Sequence, residues 1–244
     1  MRNRGQSSPV SDSRKLTIKD DVRDLETVRR HFGVRRFTPI GYSYLGLMVL
    51  LYAMDYPDRV ERIVQVGPVP RKFGTQYPSR LVNQDSVVDE HAWNKLQQLR
   101  AQQYDRKHPK DFCEMHWKTL RVRLVGDPNH VDRLGPSPCD MPNEWPVNLE
   151  RHLNAQLESL KTLDVTPEKL AAVSVPVLVI HGTKDRNVPY GAGREWALTL
   201  PNARLLPVEG AAHNVWADAP EVADWINRFL AGRWPQSAQK VTKL

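Results

Sequence analysis

The chain has 244 residues, enough for one large α/β domain with a buried core and a small inserted subdomain. At 40% hydrophobic and 26% charged residues it has an ordinary globular composition, and no window approaches the unbroken apolar run that a transmembrane helix needs. The formal charge of +7 is distributed in short groups such as Arg29, Arg30, Arg35 and Arg36, interleaved with acids and apolar residues, which reads as a solvated surface and argues against nucleic-acid and membrane partners.

The first residues, MRNRGQSSPVSDSRK, are polar and basic with no apolar run behind them, so they do not read as a secretory signal, and a cytoplasmic location is expected. From Thr17 to Phe32 the apolar residues Ile18, Val22, Leu25, Val28 and Phe32 fall on one face of a helix, with Thr17 as cap and Gly33 as stop. RFTPIGY at 36–42 reads as a short buried strand that enters a glycine-bounded turn, and the apolar helix of LGLMVLLYAMDY follows it. VERIVQVG at 60–67 is a second strand, VPVLVIHG at 175–182 a third and ARLLPVEG at 203–210 a fourth. The third is almost continuously apolar, as expected of a parallel strand covered on both faces. Between Pro70 and Val173 strand patterns vanish and helical spacings take over, which predicts an inserted helical cap lining a substrate pocket. A last helix is expected over 220–230. Cys113 and Cys139 match no disulfide framework or metal-ligand spacing, and both are expected to be free thiols.

Chemistry concentrates at three points. Gly41-Tyr42-Ser43-Tyr44-Leu45-Gly46 lies where a strand ends and a helix begins, the setting of a nucleophile elbow, with the Tyr44 amide aimed at a developing oxyanion. Serine needs a base held by an acid. HGTKDRNVP places Asp185 after the third strand and GAAHNVW places His213 after the fourth, so all three residues leave the carboxyl ends of parallel strands in the order Ser, Asp, His. Ser43, Asp185 and His213 are therefore the expected catalytic residues. His181 precedes Gly182 and is read as packed, and no histidine pair has metal-binding spacing with a third ligand, so neither metal nor cofactor is expected.

On these motifs, together with RGQSSPV and DVRDLETVRRHFG, the sequence resembles the α/β-hydrolase superfamily, closest to the group of proline iminopeptidases and related esterases. The resemblance implies a mostly parallel α/β sheet flanked by helices, with hydrolase core over 1–69 and 174–244, a helical cap over 70–173, and hydrolysis of an acyl bond. It has two departures. Family elbows carry a small residue two positions after the nucleophile, where this chain has Leu45. RGQSS-like residues also lie well inside the family's domain, after several strands and the loop that donates a second oxyanion amide, so the N-terminal strands and that donor are expected to be missing. The strand ending at Tyr42 then needs cover from the N-terminal segment or from a second copy in a homodimer. Loss of an oxyanion donor costs a rate factor of about 10² to 10³, which favours an esterase of small acyl esters over an iminopeptidase-like aminopeptidase. A non-catalytic, hydrolase-derived scaffold is the third reading. Tyr42 beside the nucleophile and Glu144 with Trp145 in MPNEWP are the candidates for substrate contact. Glu144 is read first as a surface loop anchored by Trp145, and second as the holder of a substrate amine.

Overall fold

A computed structural model describes residues 1–163 and 165–244. Its sheet is formed by β1 (Ile40–Tyr42), β2 (Ile63–Val66), β3 (Val177–Gly182) and β4 (Ala203–Val208), all parallel and in the order β1-β2-β3-β4. Register is set by Ile40 opposite Val64, Ile63 opposite Val177 and Val177 opposite Ala203. Before the sheet runs α1 (Ile18–His31), and α2 (Tyr44–Asp55) joins β1 to β2. Among the described residues, β2 and β3 are separated by helices without strands: α3 (Glu90–Ala101), α4 (Tyr104–Lys107), α5 (Pro109–Leu120), α6 (Pro146–Lys161) and α7 (Pro167–Ala171), with short 3-10 turns between them. α8 (Tyr190–Thr199) connects β3 to β4, and α9 (Val215–Asp218) and α10 (Val222–Leu230) close the chain.

Local sequence explains these elements. Thr17 caps α1 reciprocally with Asp20, each side chain accepting the other's backbone N–H, and Gly33 ends the helix at a φ of 63° that a side chain would resist. Both faces of the sheet are covered, which is why β2 and β3 are buried at every position. Ile63, Val177, Val179 and Leu205 pack with α2 and Trp196 of α8, while Val64, Leu178, Ile180 and Leu206 pack with Val222, Ile226 and Phe229 of α10.

The two sheet edges differ. Beyond β4, Leu205 and Gln239 exchange backbone hydrogen bonds of 2.8 Å, so the C-terminal segment covers that edge. The N-terminal segment does not run to β1. Arg2 binds Asp24 of α1 through two 2.8 Å hydrogen bonds, and Asn143 donates to the carbonyls of Gly5 and Ser7. Ile40 of β1 remains 45% exposed. The strand expected over 36–42 is regular only from Ile40, because Pro39 has no N–H for the ladder, although Phe37 already exchanges hydrogen bonds with Arg59 and Glu61.

The cysteines correct the sequence reading. Cys113 in α5 and Cys139 in the turn before Trp145 form a disulfide, with Cα atoms 5.7 Å apart across 26 residues of sequence. Their spacing matches no motif. The pairing arises because the chain folds back on α5 through successive 3-10 turns, a long-range event that linear spacing does not encode.

Candidate active site

The turn out of β1 is the most constrained part of the sheet's carboxyl edge. Ser43 has φ 56° and ψ −123°, a backbone conformation that costs a residue with a side chain about 1–3 kcal/mol. The surroundings hold it there. The Ser43 N–H donates to the Val66 carbonyl at 2.8 Å, and the Ser43 carbonyl accepts from the Gly46 N–H at 2.9 Å. Gly41 is required because a Cβ there would stand 2.2 Å from the Leu45 carbonyl oxygen, and Gly46 because a Cβ would meet Pro68 at 2.9 Å. Leu45, the residue that departs from family elbows, turns half-buried against the main core, so the turn keeps its shape.

Tyr44 supplies the first backbone N–H of α2, which has no acceptor within the helix and lies at its positive end. The side chain of Tyr44 does something else. Its hydroxyl donates to Asp21 at 3.0 Å, beside Gln156 of α6 at 3.1 Å from the same oxygen, and burial followed by the Asp21 charge pushes the phenol far above its usual range. It is a strut between α1, α2 and α6.

Asp185 and His213 meet across the ends of β3 and β4. His213 Nδ1 lies 2.7 Å from Asp185 Oδ2, with both residues buried. Asp185 Oδ1 accepts the backbone N–H groups of Asn187 at 2.8 Å and Val188 at 2.9 Å, and His181 Nε2 lies 3.2 Å from Oδ2. Burial would push this carboxyl up, but hydrogen bonds from His181 and then His213 outweigh it and hold it well below the usual carboxylate range. Asp185 therefore stays ionised near neutrality, and the stability this provides is complete above the ordinary carboxylate range and is lost as pH falls through that range to the lowered value of the folded protein.

The ring of Tyr42 lies 4.8 Å from that of His213 and 5.5 Å from that of Trp216, so the residue before Ser43 covers the imidazole. Burial, with the Asp185 charge second, raises the Tyr42 phenol and keeps it protonated. Gly67, just after β2, has φ 52°, and a Cβ there would press to 3.2 Å on His213 Cε1 and Nδ1. Asp218 accepts the N–H of Ala212 at 2.9 Å and that of Gly126 at 2.7 Å, which ties the His213 loop to the helical segment.

Of the expected residues, the structure brings Asp185 and His213 into direct contact and sets Ser43 next to the Tyr42 ring that packs on His213. Among the described residues, the Ser43 hydroxyl makes no hydrogen bond to the imidazole. Glu144, the candidate holder of a substrate amine, is engaged within the chain. Its carboxylate binds Arg4 through two hydrogen bonds of 2.9 and 2.8 Å and accepts the Gly5 N–H at 2.7 Å, so the charge is already satisfied within the chain. Trp145 donates to the Cys139 carbonyl at 2.8 Å and anchors the same turn. Sequence reasoning missed the supporting roles of Gly67, His181 and Asp218. The usable signal for Gly67 was its place at the end of a strand, before Pro68.

A cavity of about 220 Å³ adjoins the acid loop, lined by Leu47, Val69, Leu157, Leu160 and Leu163 and closed by Val188. A larger cleft of about 430 Å³ lies beside α1 and α6, and Ser43, Asp185 and His213 line neither it nor the 220 Å³ cavity, which approaches the acid loop only through Asn187, Val188 and Pro189.

Comparisons with known proteins agree with the fold. The sequence profile of the alpha/beta hydrolase fold matches residues 1–220. The (lyso)-N-acylphosphatidylethanolamine lipase of Homo sapiens is 25% identical over 225 residues, covering 82% of this chain and 60% of that protein. Proline iminopeptidase of Lactobacillus helveticus (strain DPC 4571) is 23% identical over 211 residues, covering 77% of this chain and 63% of that protein. The chain thus spans about three fifths of the length of the curated relatives it matches. An esterase from Exiguobacterium antarcticum shares the fold with a TM-score of 0.66 and 15% identity, over 94% of this chain and 79% of that one. With a parallel sheet flanked by helices and a family profile matched over residues 1–220, the chain belongs to the α/β-hydrolase fold family.

Proposed function

We propose that the chain is a serine hydrolase cleaving small carboxylic esters, with Ser43 as nucleophile, His213 as general base and Asp185 as the acid that orients it. The observation that carries this reading is the 2.7 Å hydrogen bond between Asp185 and His213 Nδ1, at the same sheet edge where β1 delivers Ser43 in a strained turn. With Nδ1 donating to Asp185, the Nε2 lone pair is left to take the serine proton. Ser43 Oγ attacks the ester carbonyl as His213 removes its proton, the Tyr44 N–H stabilises the oxyanion, and the leaving alcohol departs with that proton. Water, deprotonated by His213, then releases the acid from the acyl-enzyme.

Esters are favoured over amides because Glu144, bound by Arg4 and Gly5, already has its charge met within the chain and is not free to hold the amine of an aminopeptidase substrate. The lipase among the relatives supports acyl-ester chemistry, and the iminopeptidase keeps an amide substrate as the second reading. Helices of the 70–173 segment act as the cap, with the leucines of α6 facing an apolar cavity suited to an acyl chain.

Purified protein should hydrolyse p-nitrophenyl butyrate at a rate that climbs through the mildly acidic range to an alkaline plateau. The sign follows from the base, because imidazole accepts a proton only when neutral and histidine ordinarily titrates near ~6.5. Asp185 is already ionised at the foot of that limb and does not contribute to it. A flat profile from pH 5 to 9 would speak against a histidine base. We also infer that the open edge of β1, with Ile40 exposed, is covered by a second copy of the chain, since a two-fold contact closes an edge without making a new one. Light scattering at micromolar concentration should return twice the 28.0 kDa chain mass, and an active monomer would remove the dimer.

A further inference from the structure

We infer that His181 is a positioning residue for the Asp185–His213 pair, aiming the carboxylate at the base by donating a second hydrogen bond to the oxygen they share. The effect on rate rests on the function proposed above, whereas the hydrogen bond itself does not.

The geometry is specific. His181 is the fifth residue of β3 and has no solvent exposure. Its Nε2 lies 3.2 Å from Asp185 Oδ2 and 3.2 Å from the Val188 carbonyl oxygen, both of which can only accept, so the ring proton belongs on Nε2. The other nitrogen, Nδ1, is buried and has no hydrogen-bond partner. It faces Gly193 of α8, where a Cβ would stand only 2.5 Å away, so only a glycine lets the helix approach the ring this closely. A buried, unpartnered ring nitrogen is costly, and an apolar side chain would fill the same space without that cost. What the histidine provides in return is an Nε2–H that meets the Val188 carbonyl oxygen and Asp185 Oδ2, each at 3.2 Å.

Asp185 Oδ1 accepts the Asn187 and Val188 amides, Oδ2 pairs with His213 Nδ1, and His181 Nε2 lies 3.2 Å from the same Oδ2. The carboxylate cannot rotate away from His213 without losing one of these contacts. His181 also shares the negative charge of Oδ2, which moderates how strongly Asp185 stabilises a protonated His213. Other ionisable groups facing the pair are the Tyr190 phenol of α8, with its ring 5.8 Å from that of His181, and the Tyr42 phenol over His213. Neither phenol carries charge near neutrality, since burial raises both.

Two variants and one spectrum test this. His181→Leu removes the donor at similar size, and His181→Gln retains a side-chain N–H. In His181→Leu, kcat should fall by about tenfold, the modest range expected for losing an outer hydrogen-bond partner, with KM unchanged within about twofold. The acid limb of the pH profile should move upward by roughly half to one unit, because an unshared Oδ2 stabilises the imidazolium more strongly. His181→Gln should move the limb back toward that of the unsubstituted protein. Nitrogen-15 NMR of labelled histidine should show His181 as the Nε2–H tautomer at pH 8, and should follow the His213 titration directly without substrate. A coincident limb in folded His181→Leu overturns the inference, as does an Nδ1–H tautomer in the unsubstituted protein, a reading that stands even if His181→Leu does not fold. A protein inert to esters whose His213 titration still moves upward in the variant would keep this inference and remove the proposed activity.

Discussion

Replacing Asp185 with Asn should lower kcat on an activated ester by about 10³ to 10⁴ while leaving the fold intact. The size of the effect follows from tautomer chemistry. Asp185 Oδ2 accepts from His213 Nδ1 at 2.7 Å, which fixes the proton on Nδ1 and leaves Nε2 free as a base. An amide can present its NH₂ to Nδ1 instead, which forces the proton onto Nε2 and removes the base at the start of the reaction. Stability should change less than activity, because Asn retains an oxygen for the Asn187 and Val188 amides, while its NH₂ loses any contact with the His181 Nε2–H, which keeps the Val188 carbonyl as acceptor. The measurement is kcat for Asp185→Asn beside the Tm of both proteins. A loss of less than about tenfold with Tm preserved would show that the carboxylate does not orient the base.

A large stability effect is expected at Gly41. A methyl group there would lie 2.2 Å from the Leu45 oxygen, 2.5 Å from its carbonyl carbon and 2.7 Å from the Gly46 nitrogen, all backbone atoms that cannot rotate aside. Relief would require α2 to pull away from β1, which opens the core between them. Gly41→Ala should cost about 3–5 kcal/mol, at the upper end for single substitutions, and lower Tm by roughly 10–15 °C for a domain of this size. Gly135, which has nothing within 4 Å of its Cβ position and no left-handed φ, is the control, and Gly135→Ala should stay within about 0.5 kcal/mol. Equal melting temperatures for the two variants would mean that the elbow is looser than its geometry states.

What could be read from the sequence were features whose causes are local. The helix at Thr17 was legible because a capping box and an apolar face occupy consecutive residues, and β3 because a strand covered on both faces must be apolar throughout. The elbow was legible because the close approach of helix to strand permits only glycine at position 41. The acid and base loops were found because each follows an apolar strand. What stayed hidden depends on residues brought together from afar. Arg4 and Glu144 are 140 positions apart, so a carboxylate that could hold a ligand could not be told from one already paired. The Cys113–Cys139 link requires the chain's return over α5, and the burial of His181 against Gly193 requires the packing of α8 on β3. The pairing of His181 with Asp185 spans only four residues, but the turn that brings Nε2 to the carboxylate is a property of the folded loop. A buried histidine and a working histidine look alike in sequence.

The central claim is that Ser43 is a nucleophile activated by His213, and covalent labelling tests it most directly. A fluorophosphonate reacts only with a serine whose hydroxyl is deprotonated on demand, so no natural substrate is needed. Intact-mass spectrometry followed by peptide mapping should show one adduct per chain, on Ser43, and no adduct on Ser43→Ala. An unlabelled but folded protein, or an adduct on any other serine, would contradict the assignment.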